Sequence, residues 1–555
     1  MGNLRNSIKR SGDGDATPDA LPCELVLRLH GLGMGPLHRA GLGGLASTLE
    51  WIRCERQAGR LSANQVPGGD LGQSLPWRIE RDSVTLVIGK EDQAEDYLEK
   101  LFALAFQLRD GLIFMPGQQG DIPVSQAVLA DLQQGLLLTF LQHGQTRVLG
   151  IETNTNHDPE EGVTVPFPVT FKPCTEFKHQ DLWTSLVEKG KLVTQPVKLD
   201  GPISPGSAVR HVAYPDSKVD QPLELALPAF FAMVGTLALS VNRGVGVLLI
   251  PEVTDLKEFV RIRPEMTPRT ARSLQITNAA DAVLQTYLRL MAKNELLNDI
   301  STVTFRSTPW AKQQKNRVGT SVIGIRDNPR ALDRFERALT HLPSRLMVDQ
   351  AKNEAKGKRK NKGDNQKDRA YFVDSVVRPH IAENLARGRP WYMDFSRLMT
   401  MKDPVDSKKV LRTKVTYERE GLNAMVKDSE LFDDVGEKFL VEAVHAAIRG
   451  NYGRIREETD SEASKGLSQA CKNRMEKFRE KLRIDLAGGK TEDHVRFALM
   501  DLFSRAKSRN ATLQDQWSKI LPIVRKNWRL ARDLGLLALV SYKGQTRDED
   551  VLDIN

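Results

Sequence analysis

The sequence predicts an α+β N-terminal domain followed by an all-α C-terminal helix bundle. Strand-like alternation and helical periodicity occur together up to about residue 350, whereas strand signals almost vanish beyond residue 370. Between the two regions, residues 351–369 carry eight lysines and arginines against three acids, with no apolar residue larger than alanine. This stretch is predicted to be a linker or a mobile basic arm.

The chain has 555 residues, which is too long for one ordinary hydrophobic core. We therefore expect a disordered leader at 1–21, an α+β domain at 22–350, the basic linker at 351–369, a helical connector at 370–424 and a helix bundle at 425–555.

The N-terminal domain is predicted to begin with two strand–helix units. Glu24 to Leu29 alternates apolar and charged residues as a half-buried strand does, and a glycine-rich turn leads into a helix near Leu37 to Arg56. Ser83 to Ile88 is typical of a second strand. Asp92 can cap a following helix through Leu108.

The most apolar run, Leu225 to Val241, contains Pro228 and is about 17 residues long, which is short for a membrane span. It predicts a buried helix over Pro228 to Val241. The other elements expected here are a helix from Ser125 to about Leu141, strands at Arg147 to Glu152, Val163 to Phe171 and Val245 to Ile250, a helix around Asn278 to Leu297, strands at Thr302 to Arg306 and Ser321 to Ile325, and a helix after Pro329.

The C-terminal region has the periodicity of long helices. His445 lies inside an apolar helical pattern, which indicates a packed or rim histidine. The predicted helices are Val435 to Arg449, Ser461 to Leu486, Thr491 to Lys507, and Thr512 to Val540 with a break near Pro522.

Composition favours a polyanionic partner and a reducing compartment. Lysine and arginine outnumber acids by 80 to 71, which gives a formal charge of +9. The four cysteines (Cys23, Cys54, Cys174, Cys471) form no CxxC pair, which indicates neither a disulfide framework nor a zinc knuckle. We also predict no metal site and no cofactor. No apolar stretch that could act as a secretion signal occurs in the first twenty residues, and the protein is expected to be cytoplasmic.

Sequence motifs do not favour an enzyme. HExxH, GxSxG and EF-hand patterns are absent, and Gly489-Lys490-Thr491 is only the tail of a P-loop. The glycine-rich loop at 30–36 fails the dinucleotide fingerprint, and the looser match at 41–46 starts too far beyond the strand. Packing of this loop against the strand and contact with a nucleic-acid backbone, assisted by Arg39, both stay open.

Two segments combine residue types that contact bases and phosphates. The sequence from Trp310 to Arg317 has an aromatic ring, amides that can pair with base edges and cations that can hold phosphates. The turn at 242–244 offers the same on a smaller scale, and a solvated loop is the alternative for both. The candidate base readers are Gln313, Gln314, Asn316, Asn242 and Arg243, and the candidate phosphate contacts are Lys312, Lys315 and Arg317.

A cluster of cations in the bundle could line a groove for a single strand. Glu476, Glu480 and Asp485 are interleaved with them, so an ordinary solvated face is the alternative. The candidates are Lys472, Arg474, Lys477, Arg479, Lys481 and Arg483 on one helix, with Arg505, Lys507, Arg525, Lys526 and Arg529 on later ones.

Three stretches together resemble the large subunit of a type I CRISPR Cascade, in its I-B or MYXAN-like branch. They are CELVLRLHGLGMGPLHRAGLGGLASTLEWI, LPAFFAMVGTLALSVNRGVGVLLIPEV and GEKFLVEAVHAAIRGNYGRI. The resemblance covers most of the chain in organisation, and it implies a non-catalytic subunit that sits at the crRNA 5′ end and reads the protospacer-adjacent motif in double-stranded DNA.

The same resemblance implies that the subunit helps to open the duplex, forming an R-loop, while its bundle, similar to the small subunit, guides the displaced single strand. Such a protein assembles with the backbone, crRNA-end and small subunits in antiviral defence and recruits a helicase-nuclease. This division of labour, in which protein reads a short motif and RNA pairing reads the rest, suits a chain with basic loops and no catalytic motif.

Met425 stands just ahead of the bundle and suggests a second translation start. Glu420-Gly421 must be encoded by GAR-GGN, which can contain the purine-rich core of a bacterial ribosome-binding site at suitable spacing. We hypothesise a separate small subunit of residues 425–555.

Two other classes of function stay open for the whole chain. One is a nuclease or nucleotide hydrolase with a dispersed acidic site, and the other is a basic scaffold protein.

Overall fold

The structure is a computed structural model and describes residues 23–69, 75–120, 124–140, 152–158, 163–199, 219–241, 244–292, 298–310, 313–324, 328–349, 369–402, 410–459, 467–506 and 511–544. The chain forms two compact units. The first comprises the residues up to Asp327 with Leu346–Val373, and the second comprises Asn328–Arg345 with the residues from Asp374 onward.

The first unit mixes helices with antiparallel sheets, as the α+β prediction requires. Its helices are α1 (Pro36–Gln57), α2 (Ala94–Ala105), α3 (Pro116–Gln119), α4 (Gln126–Thr139), α5 (Leu223–Phe230), α6 (Ala232–Gly235), α7 (Leu256–Met266) and α8 (Ala279–Met291). Its strands are β1 (Cys23–Arg28), β2 (Trp77–Ile79), β3 (Ser83–Gly89), β4 (Gln107–Arg109), β5 (Leu112–Phe114), β6 (Glu152–Asp158), β7 (Val163–Phe171), β8 (Val187–Glu188), β9 (Lys191–Leu192), β10 (Val197–Leu199), β11 (Val219–Gln221), β12 (Leu237–Val241), β13 (Val245–Pro251), β14 (Ile300–Trp310), β15 (Gln313–Ile323), β16 (Arg345–Asp349) and β17 (Arg369–Val373).

Two sheets organise this unit. One has the strand order β1-β3-β2 and the other the order β12-β13-β14-β15, and every pairing in both is antiparallel. β16 and β17 pair with each other, so the chain re-enters the first unit after the predicted linker. Of that linker, only Arg369 lies within the described residues.

Close packing of helices explains the glycines near the start of the chain. A Cβ added at Gly41 would lie 1.9 Å from the carbonyl oxygen of Pro228, and one at Gly44 would lie 2.5 Å from that of Phe231. A Cβ on Gly235 would lie 1.7 Å from the Ala40 carbonyl oxygen. Only glycine allows α1 and the α5–α6 pair to approach this closely.

The apolar run 225–241 is buried as predicted, but only its first part is helical. α6 ends at Gly235, and Leu237–Val241 forms β12. The fully buried Arg263 explains the switch, because it donates hydrogen bonds of 2.6 Å to the carbonyl oxygens of both Val234 and Thr236. These two carbonyl oxygens bind a side chain at the point where the helix ends. The sequence did not predict this end, because a short apolar run does not by itself distinguish a helix from a strand.

Three other predictions were wrong in detail. α2 ends at Ala105, since Gln107–Arg109 forms β4, and Asp92 lies in a preceding 3-10 turn and does not cap α2. The segment from Trp310 to Arg317 is not a long loop, because β14 and β15 extend to Trp310 and from Gln313. Pro522 lies inside a helix, and the break occurs at Asn527.

The second unit is helical and contains the C-terminal bundle. Its helices are α9 (Pro329–His341), α10 (Arg378–Ala386), α11 (Phe395–Thr400), α12 (Arg412–Thr416), α13 (Arg419–Lys427), α14 (Val435–Thr459), α15 (Gln469–Ala487), α16 (Glu492–Ala506), α17 (Ala511–Lys526) and α18 (Trp528–Ser541). α18 is largely buried and packs against α11, α13, α14, α15, α16 and α17.

Buried polar groups join the bundle to the short helices before it. The Asp533 carboxylate on α18 accepts hydrogen bonds from the backbone amides of Asp394 (2.8 Å) and Ser396 (3.1 Å). His445 is a packed histidine, as predicted, and its Nε2 lies 2.9 Å from the Ala538 carbonyl oxygen. Burial lowers the pKa of His445 to about 4, so the ring is neutral at physiological pH.

Every helix in the described part of the chain is too short or too polar to cross a lipid bilayer.

The close approach of α1 to α5 yields a stability prediction. Gly41→Ala should lower the free energy of unfolding by about 1–3 kcal/mol, the usual range for an overpacked core, because the new methyl group would meet rigid backbone. Gly35→Ala is the matched control, since its Cβ would meet only His38 Nδ1 at 3.6 Å. Urea denaturation of the full chain measures both, and a Gly41→Ala protein as stable as the wild type would contradict the packing.

Candidate nucleic-acid interface

The four-stranded sheet brings both predicted base-reading segments to one end. Backbone pairing joins Val241 to Val245, Val245 to Arg306, and Arg306 to Arg317. The end of β12, the start of β13 and the outer half of the β14–β15 hairpin therefore lie at the same end of the sheet. The sequence segments that contain Arg243 and Gln314 lie about seventy residues apart, and this register could not be read from either alone.

The outer half of the hairpin is a two-stranded ribbon. Its pairs run from Ser307 opposite Asn316, through Thr308 opposite Lys315 and Pro309 opposite Gln314, to Trp310 opposite Gln313. Arg317 starts this stretch opposite Arg306. Asn242, Arg243, Lys312 and Lys507 lie outside the described residues.

The glycine-rich loop offers less to a phosphate than its sequence suggests. The amides of Gly31 and Met34 donate within the loop, to the carbonyl oxygens of Arg28 and Gly31. The stretch 41–46 lies inside α1 and is buried, which excludes the dinucleotide reading. Arg39 lies half-buried in the first turn of α1, and its Nε has no hydrogen-bond partner.

On α15, the predicted cations divide into paired and unpaired groups. Arg474 lies 3.3 Å from Glu458, and Arg483 and Arg412 both bind Glu480, at 2.8 and 2.9 Å. Hydrogen bonds, chiefly from Arg483 and to a smaller extent from Arg412, lower the pKa of Glu480 to about 2.

Other arginines of the bundle are also engaged within the protein. Arg479 donates to the Leu539 carbonyl oxygen at 3.4 Å, and Arg505 pairs with Asp501 at 2.9 Å.

Two lysines of α15 differ from these arginines. Lys477 and Lys481 are exposed, lie one helical turn apart and form no ion pair with the described residues. Lys472, on the same helix, is half-buried. The exposed lysines are therefore better placed for a polyanion than the arginines.

A second basic surface lies where α17 ends and α18 begins. Arg525, Lys526 and Arg529 are exposed, and the half-buried Trp528 lies among them. The guanidinium carbons of Arg529 and Arg532 lie 4.9 and 5.6 Å from the centre of the Trp528 ring. Trp528 was missed from the sequence, although an aromatic residue between basic ones is the signal for a stacking site.

Met425 is buried in the last turn of α13, three residues before Asp428. Among the described residues, no group of three or more histidines, cysteines and acids is arranged to hold a metal ion.

Comparison with known proteins identifies the family. A model described as the DevT N-terminal domain matches residues 26–230, and one described as the DevT C-terminal domain matches residues 428–554. The CRISPR-associated protein Cas8a1/Csx13 of Myxococcus xanthus (strain DK1622) is 33% identical over an alignment that covers 95% of this chain and 90% of that protein. The chain therefore belongs to the Cas8a1/Csx13 family of CRISPR-associated proteins, and its resemblance to the large subunit of a type I CRISPR Cascade is confirmed.

Proposed function

We propose that this Cascade large subunit recognises the protospacer-adjacent motif in duplex DNA with the end of its four-stranded sheet. The observation that carries the proposal is the register that aligns Val245, Arg306 and Arg317 across three strands. This register puts the strand ends that flank residues 242–244 at the same end of the sheet as the outer hairpin, and we expect a single short DNA segment to contact both.

The shape of the hairpin suits the major groove. That groove admits a two-stranded β-ribbon, and its base edges can be read by amide side chains and arginine. Gln314 and Asn316 are alternate strand positions, which lie on one face of a ribbon, whereas positions 313, 315 and 317 belong to the other. We expect one face to read bases, and Lys315 and Arg317 to hold the phosphate backbone.

The same proposal assigns the remaining steps. Binding of the motif helps to open the duplex, the bundle guides the displaced strand, and the assembled complex recruits a helicase-nuclease that cuts the DNA. The chain itself cuts nothing and works in the cytoplasm with crRNA and the other Cascade subunits. In such systems RNA pairing supplies most of the sequence specificity, so the protein needs only a short reader.

The hairpin generates the first functional prediction. In the complete complex, Gln314→Ala should reduce discrimination at one motif position by about 1–3 kcal/mol, the value of a good bidentate base contact. Lys315→Ala should weaken binding to all sequences alike and reduce its salt dependence. Equilibrium binding to matched and mismatched duplexes measures both effects.

Thr320→Ala, on an exposed position of the same strand, is the matched control and should change neither quantity. An equal loss for matched and mismatched motifs in Gln314→Ala would remove this residue from the readers.

For the displaced strand, the unpaired Lys477 and Lys481 are the phosphate contacts that we expect to matter most. Replacing both with alanine should flatten the plot of log affinity against log salt for single-stranded DNA by about 0.7 per lost phosphate contact. Arg496→Ala is the control, because Arg496 already pairs with Glu492 and Asp493 on α16. An unchanged salt dependence in the double variant would show that this face does not hold the strand.

The second start at Met425 is supported by two observations. The matched C-terminal family model begins at residue 428, and α14 to α18 pack on one another. A Met425→Leu codon change keeps a side chain of similar volume in the core, and it should abolish a short product of residues 425–555 while the full chain remains. Met401→Leu, at an exposed site upstream, is the control. An unchanged short band in the purified complex would disprove the second start.

A further inference from the structure

The first unit contains a cavity that none of the roles above uses. It has a volume of about 420 Å³, within the usual range of small-ligand pockets. α4, the end of β7, the segment 271–275 and β17 form its walls. An apolar cluster that includes Ala130, Phe171 and Ala271 lines one side, and Phe372 packs against that cluster.

One carboxylate, that of Asp131, lines this cavity. Asp131 lines the wall formed by α4, and its Oδ2 is inaccessible to water and has no hydrogen-bond partner among the residues that the structure describes. The residue as a whole keeps some exposure. Burial alone raises the pKa of Asp131 to about 7, because no neighbouring charge or donor stabilises the ionised form. A buried polar group without a partner is costly and calls for an explanation, and a ligand that donates hydrogen bonds is one explanation.

The exposed end of the cavity carries different chemistry. The Tyr371 side chain is 46% exposed, and Lys172 and Gln134 are also exposed. Lys172 is the one cation among the described lining residues, and no ion pair in the described part of the chain joins it to Asp131. The lining thus combines an exposed ring for stacking, an exposed amide and an exposed cation with a carboxylate that is less exposed.

This arrangement suits an unpaired nucleobase better than other small groups. A flat ring can stack on an aromatic side chain while its phosphate stays at the mouth beside a lysine. The ionised form of Asp131, which predominates above its pKa of about 7, only accepts hydrogen bonds, so it selects a base with adjacent N–H donors. Guanine offers two, the N1 hydrogen and the N2 amine, whereas uracil places one N–H between two carbonyl oxygens that the carboxylate repels.

We propose that this cavity binds one unpaired guanine of a single-stranded nucleic acid, with the Asp131 side chain turning towards the base to accept from the N1 and N2 hydrogens and Lys172 holding a phosphate. The inference rests on the proposed function, because it assumes that single-stranded nucleic acid reaches this unit within the complex. It concerns a site separate from the motif-reading hairpin.

The test uses the purified full chain and fluorescent oligouridine that carries one central guanosine, one central inosine or neither, together with the equivalent DNA oligomers. The wild type should bind the guanosine oligomer at least tenfold more tightly than plain oligouridine, since hydrogen bonds to a charged group are worth this much. Inosine lacks the N2 amine and should lie between them. Comparison of the affinities for the RNA and the DNA oligomers shows whether the bound guanine belongs to RNA or to DNA.

Asp131→Asn should abolish the preference for guanine and, at pH 8, raise the melting temperature, because it removes an uncompensated buried charge. A merely structural residue would lose stability when changed. Asp92→Asn, at an exposed acid of the same unit, is the matched control and should alter neither property. Lys172→Ala should weaken all oligomers equally.

Equal binding of guanosine and plain oligomers by the wild type would overturn the proposal, as would an Asp131→Asn protein that keeps the preference. If Asp131→Asn changes no oligomer affinity but prevents copurification of another subunit, the cavity takes a protein side chain and the proposal is wrong. Motif-selective duplex binding should persist in Asp131→Asn complexes. Loss of that selectivity from wild-type complexes would instead refute the proposed function.

Discussion

The buried guanidinium of Arg263 is the constraint on which the four-stranded sheet depends. Its hydrogen bonds to the carbonyl oxygens of Val234 and Thr236 turn the chain from α6 into β12, and its Nη1 also lies 3.0 Å from Thr267 Oγ1. Burial lowers the pKa of Arg263 to about 9, yet the group stays protonated at neutral pH. With β12 so placed, antiparallel pairing determines where β13, β14 and β15 end.

The helices were easier to predict from the sequence than the strands because their signals are local. Ser125 and Asn278 cap α4 and α8 as their sequence positions indicate, each accepting a bond from a backbone amide in the first turn. The change from helix to strand at Gly235 depends on Arg263, which is 28 residues further along the chain, and no local pattern reveals that contact. The outer half of β14–β15 has a polar sequence without regular alternation of apolar and polar residues, so this sequence resembled a loop.

The candidate interface shows the same difference between features that local sequence reveals and features that depend on contacts between distant residues. Residue types identified the basic helices, but only the structure separates Arg483, held by Glu480, from Lys477 and Lys481, which are exposed and form no ion pair with the described residues. Asp131 had no sequence signal at all, because an acid within a helical pattern is ordinarily a solvated residue. Its environment arises from α4, β7 and β17, which are far apart in the sequence.

The most direct test of the motif-reading role is equilibrium binding of the co-expressed complex, with and without this chain, to duplex DNA that carries a randomised motif beside a guide-matched target. The measurement is repeated across a salt series, since phosphate contacts make affinity depend on salt. The account predicts motif-selective, salt-sensitive binding that requires the chain. Binding that is indifferent to the motif, or unchanged when the chain is absent, would contradict it.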